Sequence, residues 1–387
     1  VPGAPTRAAA TAGHVDGWQL LLTKLTPDNR FTRVKSAGLL AIKEGPDPKL
    51  AFKTQGGPVK TLPLAAVITA TRPGFTPNSA GKWRVFLKDG GWICGRVITS
   101  HGENFHIQTS FGMVSVPLND ALGTGKGKKG FQHPRAAAHD RLFYASGGVL
   151  KGTFMQATAR GVRIHTALGT EWTPWLRIKR IVLGGLPAHT STVAGFSVAL
   201  LNGSMLKAAA VYLSRQILTI RTVIGFTLTI PLSAAGEIDT LTGNATWLAS
   251  LQPIAYRQTP LFGRPWPLQR DRNAVGEPLK VDGNTYSHGV GLHAPCTVTY
   301  QLGGRYRYLL LAAQMDDSAQ DFGRGRMTIR ISGQPVYRSK VLTTGMPLTF
   351  IKLPLRGADR LTITTRPTSI LATRCRIDLL DAALLRK

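Results

Sequence analysis

Acidic side chains are scarce in this chain of 387 residues: 20 aspartates and glutamates stand against 48 lysines and arginines, a formal net charge of +28. A glycosidase needs two carboxylates facing each other across a cleft, roughly 5–9 Å apart. The acids here are scattered mainly on turns (Asp89, Glu103, Glu277, Asp282), and no pair announces itself. There are three cysteines, with no Cys-x-x-Cys and no Cys/His cluster, which argues against a finger-type zinc site. No apolar run approaches the ~18–20 residues of a membrane span. Gly-x-Ser-x-Gly, His-Glu-x-x-His and Walker sequences are all missing. Together these absences point to a non-enzymatic protein without a helical membrane span.

What is abundant is positive charge, glycine and β-forming residues. Residues 1–190 carry 25 lysines and arginines against nine acids, and residues 268–387 carry 18 against nine. The excess is therefore spread over two large regions and not confined to a tail. Such a surface attracts polyanions: acidic polysaccharide, nucleic acid or an acidic protein partner. A plain solubility charge explains it equally well. Nucleic acid is the weakest of these readings, because aromatic stacking patches are not interleaved with the basic residues. The glycine and lysine loop Gly123–Gly130 lacks the strand-to-helix context of a phosphate cradle and reads as a cationic linker.

The chain repeats itself. Gly90, Gly95, Thr109, Gly112 and Pro117 recur as Gly147, Gly152, Thr166, Gly169 and Pro174, then as Gly203, Ala208, Thr222, Gly225 and Pro231, at offsets of 57 and 56 residues. A degenerate earlier copy ends near Thr54, Gly56, Gly57 and Pro63. Each copy reads as strand, turn, strand, strand, turn, strand, with glycines inside strands marking bulges or sharp corners. This punctuation resembles a small bent SH3-like or Sm-like barrel, and four such units in a row suit a spacer or an assembly scaffold.

The last third speaks of function. Its opening, from Gly276-Glu277-Pro278-Leu279 through Val281-Asp282-Gly283, Tyr286 and His288-Gly289-Val290-Gly291 to His293-Ala294, resembles the NPCBM family of carbohydrate-binding modules. The likeness continues in Met315-Asp316-Asp317, in Gly325 to Gly333, and in the closing Arg376 to Ala382, where Leu379 stands in place of the family's tryptophan. The resemblance implies a jelly-roll β-sandwich and a sugar ligand. Sugars are held by aromatic faces and planar hydrogen-bonding groups, and the turn residues of those types are Tyr286, His288, His293, Asp316, Asp317, Arg324, Tyr337 and Arg374. Asp316, Asp317 and Asp321 also form an oxygen-rich loop of the kind that takes calcium, although turn capping explains the first two as well. Cys296 and Cys375 fall on early and late strands of the expected sandwich, so they are either a disulfide or buried free thiols.

The expected fold is all-β: tandem small antiparallel β-barrel repeats followed by a C-terminal jelly-roll β-sandwich. The expected layout is a flexible tail at 1–16, repeats at 17–78 (degenerate), 79–135, 136–190 and 191–250, a Pro-rich connector at 251–267, and the sandwich at 268–387. Because the first residue is Val1 and a small-residue tail follows, a removed signal peptide and a secreted, periplasmic or cell-surface location are expected. The expected function is non-catalytic carbohydrate binding or adhesion favouring acidic glycans. The alternative is a structural subunit of an extracellular or periplasmic assembly, through self-assembly or an acidic protein partner.

Overall fold

The computed structural model describes all residues except 1–16, 29, 44–47, 76–82, 102, 127–137, 186–194, 241–244, 261–262, 369–373 and 387. The expected tail and residues 127–130 of the glycine and lysine loop therefore lie outside the described residues, while the first half of that loop belongs to the strand Ala121–Lys126. What is described is built from β-strands and short 3-10 turns, an all-β protein.

The repeat holds five strands, one more than its punctuation suggested. In the second copy Trp83–Leu87 is followed by a second strand interrupted at Gly95 (Trp92–Cys94 and Arg96–His101), then by Asn104–Thr109 and Gly112–Pro117. Pro117 ends the fourth strand and starts a 3-10 turn, Leu118–Asp120, and a fifth strand, Ala121–Lys126, returns to pair with the first. Pro63, Pro174 and Pro231 do the same in the other copies. A proline has no N–H for a ladder and a fixed φ, so it closes a strand and hands the chain to a tight turn. The interior glycines permit the second strand to bend. A Cβ on Gly95 would lie 2.6 Å from the Gln108 carbonyl oxygen, and one on Gly152 would lie 2.3 Å from that of His165.

The fifth strands also join the units. Val67–Thr71 pairs antiparallel with Ala235–Thr240, joining the first unit to the fourth. Ala121–Lys126 pairs with Ile178–Val182, joining the second to the third. Single bridges Met205 to Trp92 and Leu213 to Ile42 complete one 18-stranded sheet system. The buried side chains of all four units, among them Leu20, Phe52, Ile107, Ile164 and Ile220, form one continuous hydrophobic cluster. The expected row of spacers is thus folded back on itself, because each fifth strand has two edges and both are used.

The C-terminal sandwich has two antiparallel sheets. One contains Gly289–His293, Arg376–Arg386, Tyr306–Met315 and Thr349–Pro354; the other contains Cys296–Gln301, Arg360–Pro367, Arg324–Ile331 and Gln334–Arg338. The stretch expected as connector contributes an edge strand to the second sheet, Ala255–Gln258 on Cys296–Thr299, and Ala245–Trp247 pairs with the C-terminal strand. Proline is tolerated beside an edge strand, where one side of the backbone needs no partner. All three cysteines are buried, and no disulfide joins Cys296 to Cys375. Burial pushes the Cys296 thiol up to about 11 and Cys375 up to about 12. The sandwich packs on the first and fourth units through Leu21, Phe31 and Ile68 against Trp247, Leu310 and Ala383. Arg33 of the first unit pairs with Asp381 at 2.5 Å.

Candidate functional site

Alternation along Arg324–Ile331 sends Gly325, Met327 and Ile329 into the sandwich core and leaves Arg326, Thr328 and Arg330 on the outer face. Antiparallel register with Arg360–Pro367 then places Arg326 directly opposite Arg366, Thr328 opposite Thr364 and Arg330 opposite Thr362. On the far side Thr328 faces Arg338. The ladder continues through hydroxyl contacts of Thr364 with Thr297 (3.2 Å) and Thr362 with Thr299 (3.3 Å). The result is a groove of about 860 Å³ lined by Arg326, Arg330, Arg338, Arg366, threonines and Tyr337, with no acidic residue among its described lining. None of the four guanidiniums has a carboxylate partner among the described residues. Like charges directly opposite on neighbouring strands destabilise a sheet. An anion lying between them would relieve that cost, and guanidinium forks grip carboxylate or sulfate bidentately.

Of the residues singled out from the sequence, the groove takes Tyr337 alone; Arg324 is the first residue of the strand that carries Arg326 and Arg330. The others are dispersed. Tyr286 lines a second groove of about 900 Å³ between the first unit and the sandwich, with Arg33, Asp381, and Phe350 beneath the Arg30 guanidinium (4.1 Å). Arg374 hydrogen-bonds Gln320 and sits 5.4 Å from the ring centre of Phe322, a phenylalanine 68 % exposed at the loop end of the sandwich. His293 is buried, its Nδ1 3.0 Å from the Ala294 carbonyl and its ring stacked 4.7 Å from Trp266. It packs against the core.

Asp316 and Asp317 cap turns. Asp317 accepts the backbone N–H groups of Asp282 (2.9 Å) and Gly283 (3.0 Å), clamping a hairpin whose turn residues have φ of 49° and 72°. Asp316, fully buried, accepts from Asn273 Nδ2 (3.2 Å) and from the Ser318 N–H (2.9 Å). With those oxygens engaged, the aspartate loop with Asp321 does not assemble a calcium cage. Among the described residues, the one cluster of His, Cys, Asp or Glu groups close enough to share an ion is Glu237, Asp239 and His288. Beside Asp316 lies Asp378, also fully buried; burial first, and then Asp316, raise its carboxyl well above the usual range. His288 is 8 % exposed, covered by the fourth unit, and so cannot serve as a surface sugar contact. Burial disfavours its charge, but Asp239 and Glu237 outweigh this and hold its pKa well above the usual imidazole value.

The four arginines were not in the set read from the sequence. Their one legible signal is the period-two run Arg326-Met327-Thr328-Ile329-Arg330; that Arg366 and Arg338 join them is a consequence of register. Leu379, in place of the family's tryptophan, is fully buried in the core.

Residues 244–385 match the model of the NPCBM/NEW2 domain. A protein of Renibacterium salmoninarum named "Putative endo-alpha-N-acetylgalactosaminidase" is 31% identical over 83 residues, 21% of this chain and 6% of that protein. The match thus spans a small fraction of its curated relative. Among solved structures, the CBM51 module of Clostridium perfringens GH95 in complex with methyl-galactose is 20% identical, covering 36% of this chain and 99% of that one, with a TM-score of 0.33. The tandem CBM51 modules of Sp3GH98 from Streptococcus pneumoniae SP3-BS71 are 10% identical, covering 95% of this chain and 88% of that one, with a TM-score of 0.33. The part of this chain that matches the NPCBM/NEW2 domain model, residues 244–385, coincides with the two-sheet sandwich.

Proposed function

We propose that this protein is a non-catalytic carbohydrate-binding or adhesion protein of the cell envelope or exterior, and that its sandwich takes acidic glycans in the arginine groove. The observation that carries the reading is the directly opposed pair Arg326 and Arg366, with Arg330 and Arg338 beside it, in a groove free of carboxylates among its described lining. Its volume suits an oligosaccharide segment, and its threonine hydroxyls offer hydrogen bonds to sugar hydroxyls. The family of the sandwich and the glycan-directed name of a relative support a sugar ligand. The test is calorimetric titration of the full chain with sulfated or uronate oligosaccharides and with neutral ones. Acidic oligosaccharides should bind, more weakly as salt rises. A hydrogen bond to a charged group is worth about 1.5–3 kcal/mol, so Arg326→Ala and Arg366→Ala should each cost tenfold or more. Equal binding of neutral sugars, or unchanged binding by both variants, would refute the assignment of this groove.

A second reading, a structural subunit of an extracellular or periplasmic assembly, is favoured by the third repeat unit. Among the described residues its strand Gly169–Pro174 pairs on one side only, with Gly161–Thr166. It exposes Trp172 (50 %), beside Leu168 and Leu176, which are almost fully exposed. An unpaired strand edge with apolar side chains is a template for chain-to-chain contact. Sedimentation of the pure protein separates the readings: oligomers lost on Trp172→Lys support assembly, whereas a monomer at all concentrations speaks for adhesion alone.

A further inference from the structure

We propose that Glu237, Asp239 and His288 form a zinc site that fastens the C-terminal sandwich to the fourth repeat unit. Glu237 and Asp239 are two residues apart on the strand Ala235–Thr240, so both carboxylates stand on one face while Ile238 points into the hydrophobic cluster. That strand is paired on both sides, with Phe196–Leu200 and with Val67–Thr71, which fixes the two carboxylates in the middle of a sheet. His288 comes from the sandwich, one residue before the strand Gly289–His293. Its Nε2 lies 3.4 Å from Asp239 Oδ1 and 3.6 Å from Glu237 Oε1.

These separations are too long for an imidazolium bonded to carboxylates, which settles at about 2.7–2.9 Å. They are the length expected between neighbouring ligands of one ion. With zinc bonds of about 2.0–2.2 Å to nitrogen and oxygen, the edge of a tetrahedron is about 3.3–3.5 Å. A second, independent observation points the same way: Nε2 of His288 and Oδ1 of Asp239, which face each other at 3.4 Å, are both buried without a hydrogen-bond partner. Unpartnered buried groups of this kind are costly unless an ion or water meets them. An outer shell is present as well. Asp271 Oδ1 stands 3.5 Å from His288 Nδ1 and accepts the Gly289 N–H (3.1 Å), and Thr71 donates to Glu237 Oε2 (3.0 Å). A carboxylate behind a ligating histidine orients the ring and raises its basicity. Trp247 stacks on the imidazole at 4.3 Å and 14°, fixing its plane. The nearby buried Lys207 ammonium donates to Ser197 (3.2 Å).

One nitrogen and two oxygens form a donor set for zinc more than for calcium, which takes six to eight oxygens. The test uses the full chain, stripped with chelator and titrated with zinc chloride by calorimetry, with cobalt chloride as a spectroscopic probe. One zinc per chain, tetrahedral cobalt absorption and a rise in melting temperature on adding zinc are expected. Asp239→Asn and His288→Gln should each weaken zinc at least tenfold, with Glu237→Gln as a third variant should either fail to fold. The wild-type titration decides the matter even if all three fail. Absence of stoichiometric uptake overturns the site, as does uptake unchanged in the variants, which would mean exposed histidines bind the metal. So does a wild type whose melting temperature zinc leaves unmoved, since the cluster would then be a buried ion triad.

Discussion

Asp317 shows how much one side chain organises here. Its two oxygens hold the two N–H groups of the Asp282–Gly283 turn, in the geometry of an anion captured by consecutive amides. Asp317→Ala should lower stability by about 1–3 kcal/mol, the cost of orphaning such donors, read as a fall in the urea midpoint. Asp378 behaves oppositely. Its folded pKa is raised above the unfolded value of about 3.9, so its contribution to stability is complete below that value and is lost as pH rises through the folded one. Asp378→Asn removes that loss. The variant should be more stable than the parent near neutrality, and the difference should shrink as the pH approaches 4; equal urea midpoints at both pH values would show the carboxyl is not destabilising. The arginine groove is half legible at this scale. Arg326 and Arg330 announce an outer face by period two, but Arg366 is 40 residues away in the chain and meets Arg326 through register alone.

The five-stranded unit is the element on which the first two thirds is built, and its glycines test it. Gly95→Ala places a methyl 2.6 Å from both the Gln108 carbonyl oxygen and Ile107 Cγ2, and should cost about 1–3 kcal/mol by overpacking. Gly38→Ala meets nothing within 4 Å and has no left-handed φ, so it should be neutral or stabilise by about 0.4–1 kcal/mol. Urea unfolding of the two variants checks the contrast. Four strands, two turns and the bend of each unit were legible because glycine and proline punctuate them. The fifth strand was obscured because it follows the proline without a loop, through one 3-10 turn. Likewise Ala255–Gln258, set among prolines, reads as connector until its pairing with Cys296–Thr299 is seen.

For the molecule as a whole, the consequential contact is the one between the sandwich and the first and fourth units. Trp247 is its centre, 5 % exposed, edge-on to Phe31 at 6.3 Å and stacked on His288. Trp247→Ala should cost about 3–5 kcal/mol and split calorimetric unfolding into two transitions as the bodies uncouple. Trp172→Ala, at a half-exposed position, should change stability by less than about 0.5 kcal/mol. A single undisturbed transition in the Trp247 variant would show that the interface contributes little.

Local punctuation and alternation, which a strand imposes on its own residues, were enough for the all-β class and the repeat, whereas the two-sheet ending was implied by the resemblance of its motifs to a known family. Tertiary structure alone decided which residues share a place. It covered His288 with the fourth unit, sent Leu379 into the core, set Arg366 against Arg326, and folded the first repeat onto the last. The physical reason is that strand pairing and sheet packing act between residues far apart in the chain. A sequence displays the periodicity of each strand but not the partner its open edge or exposed face will meet.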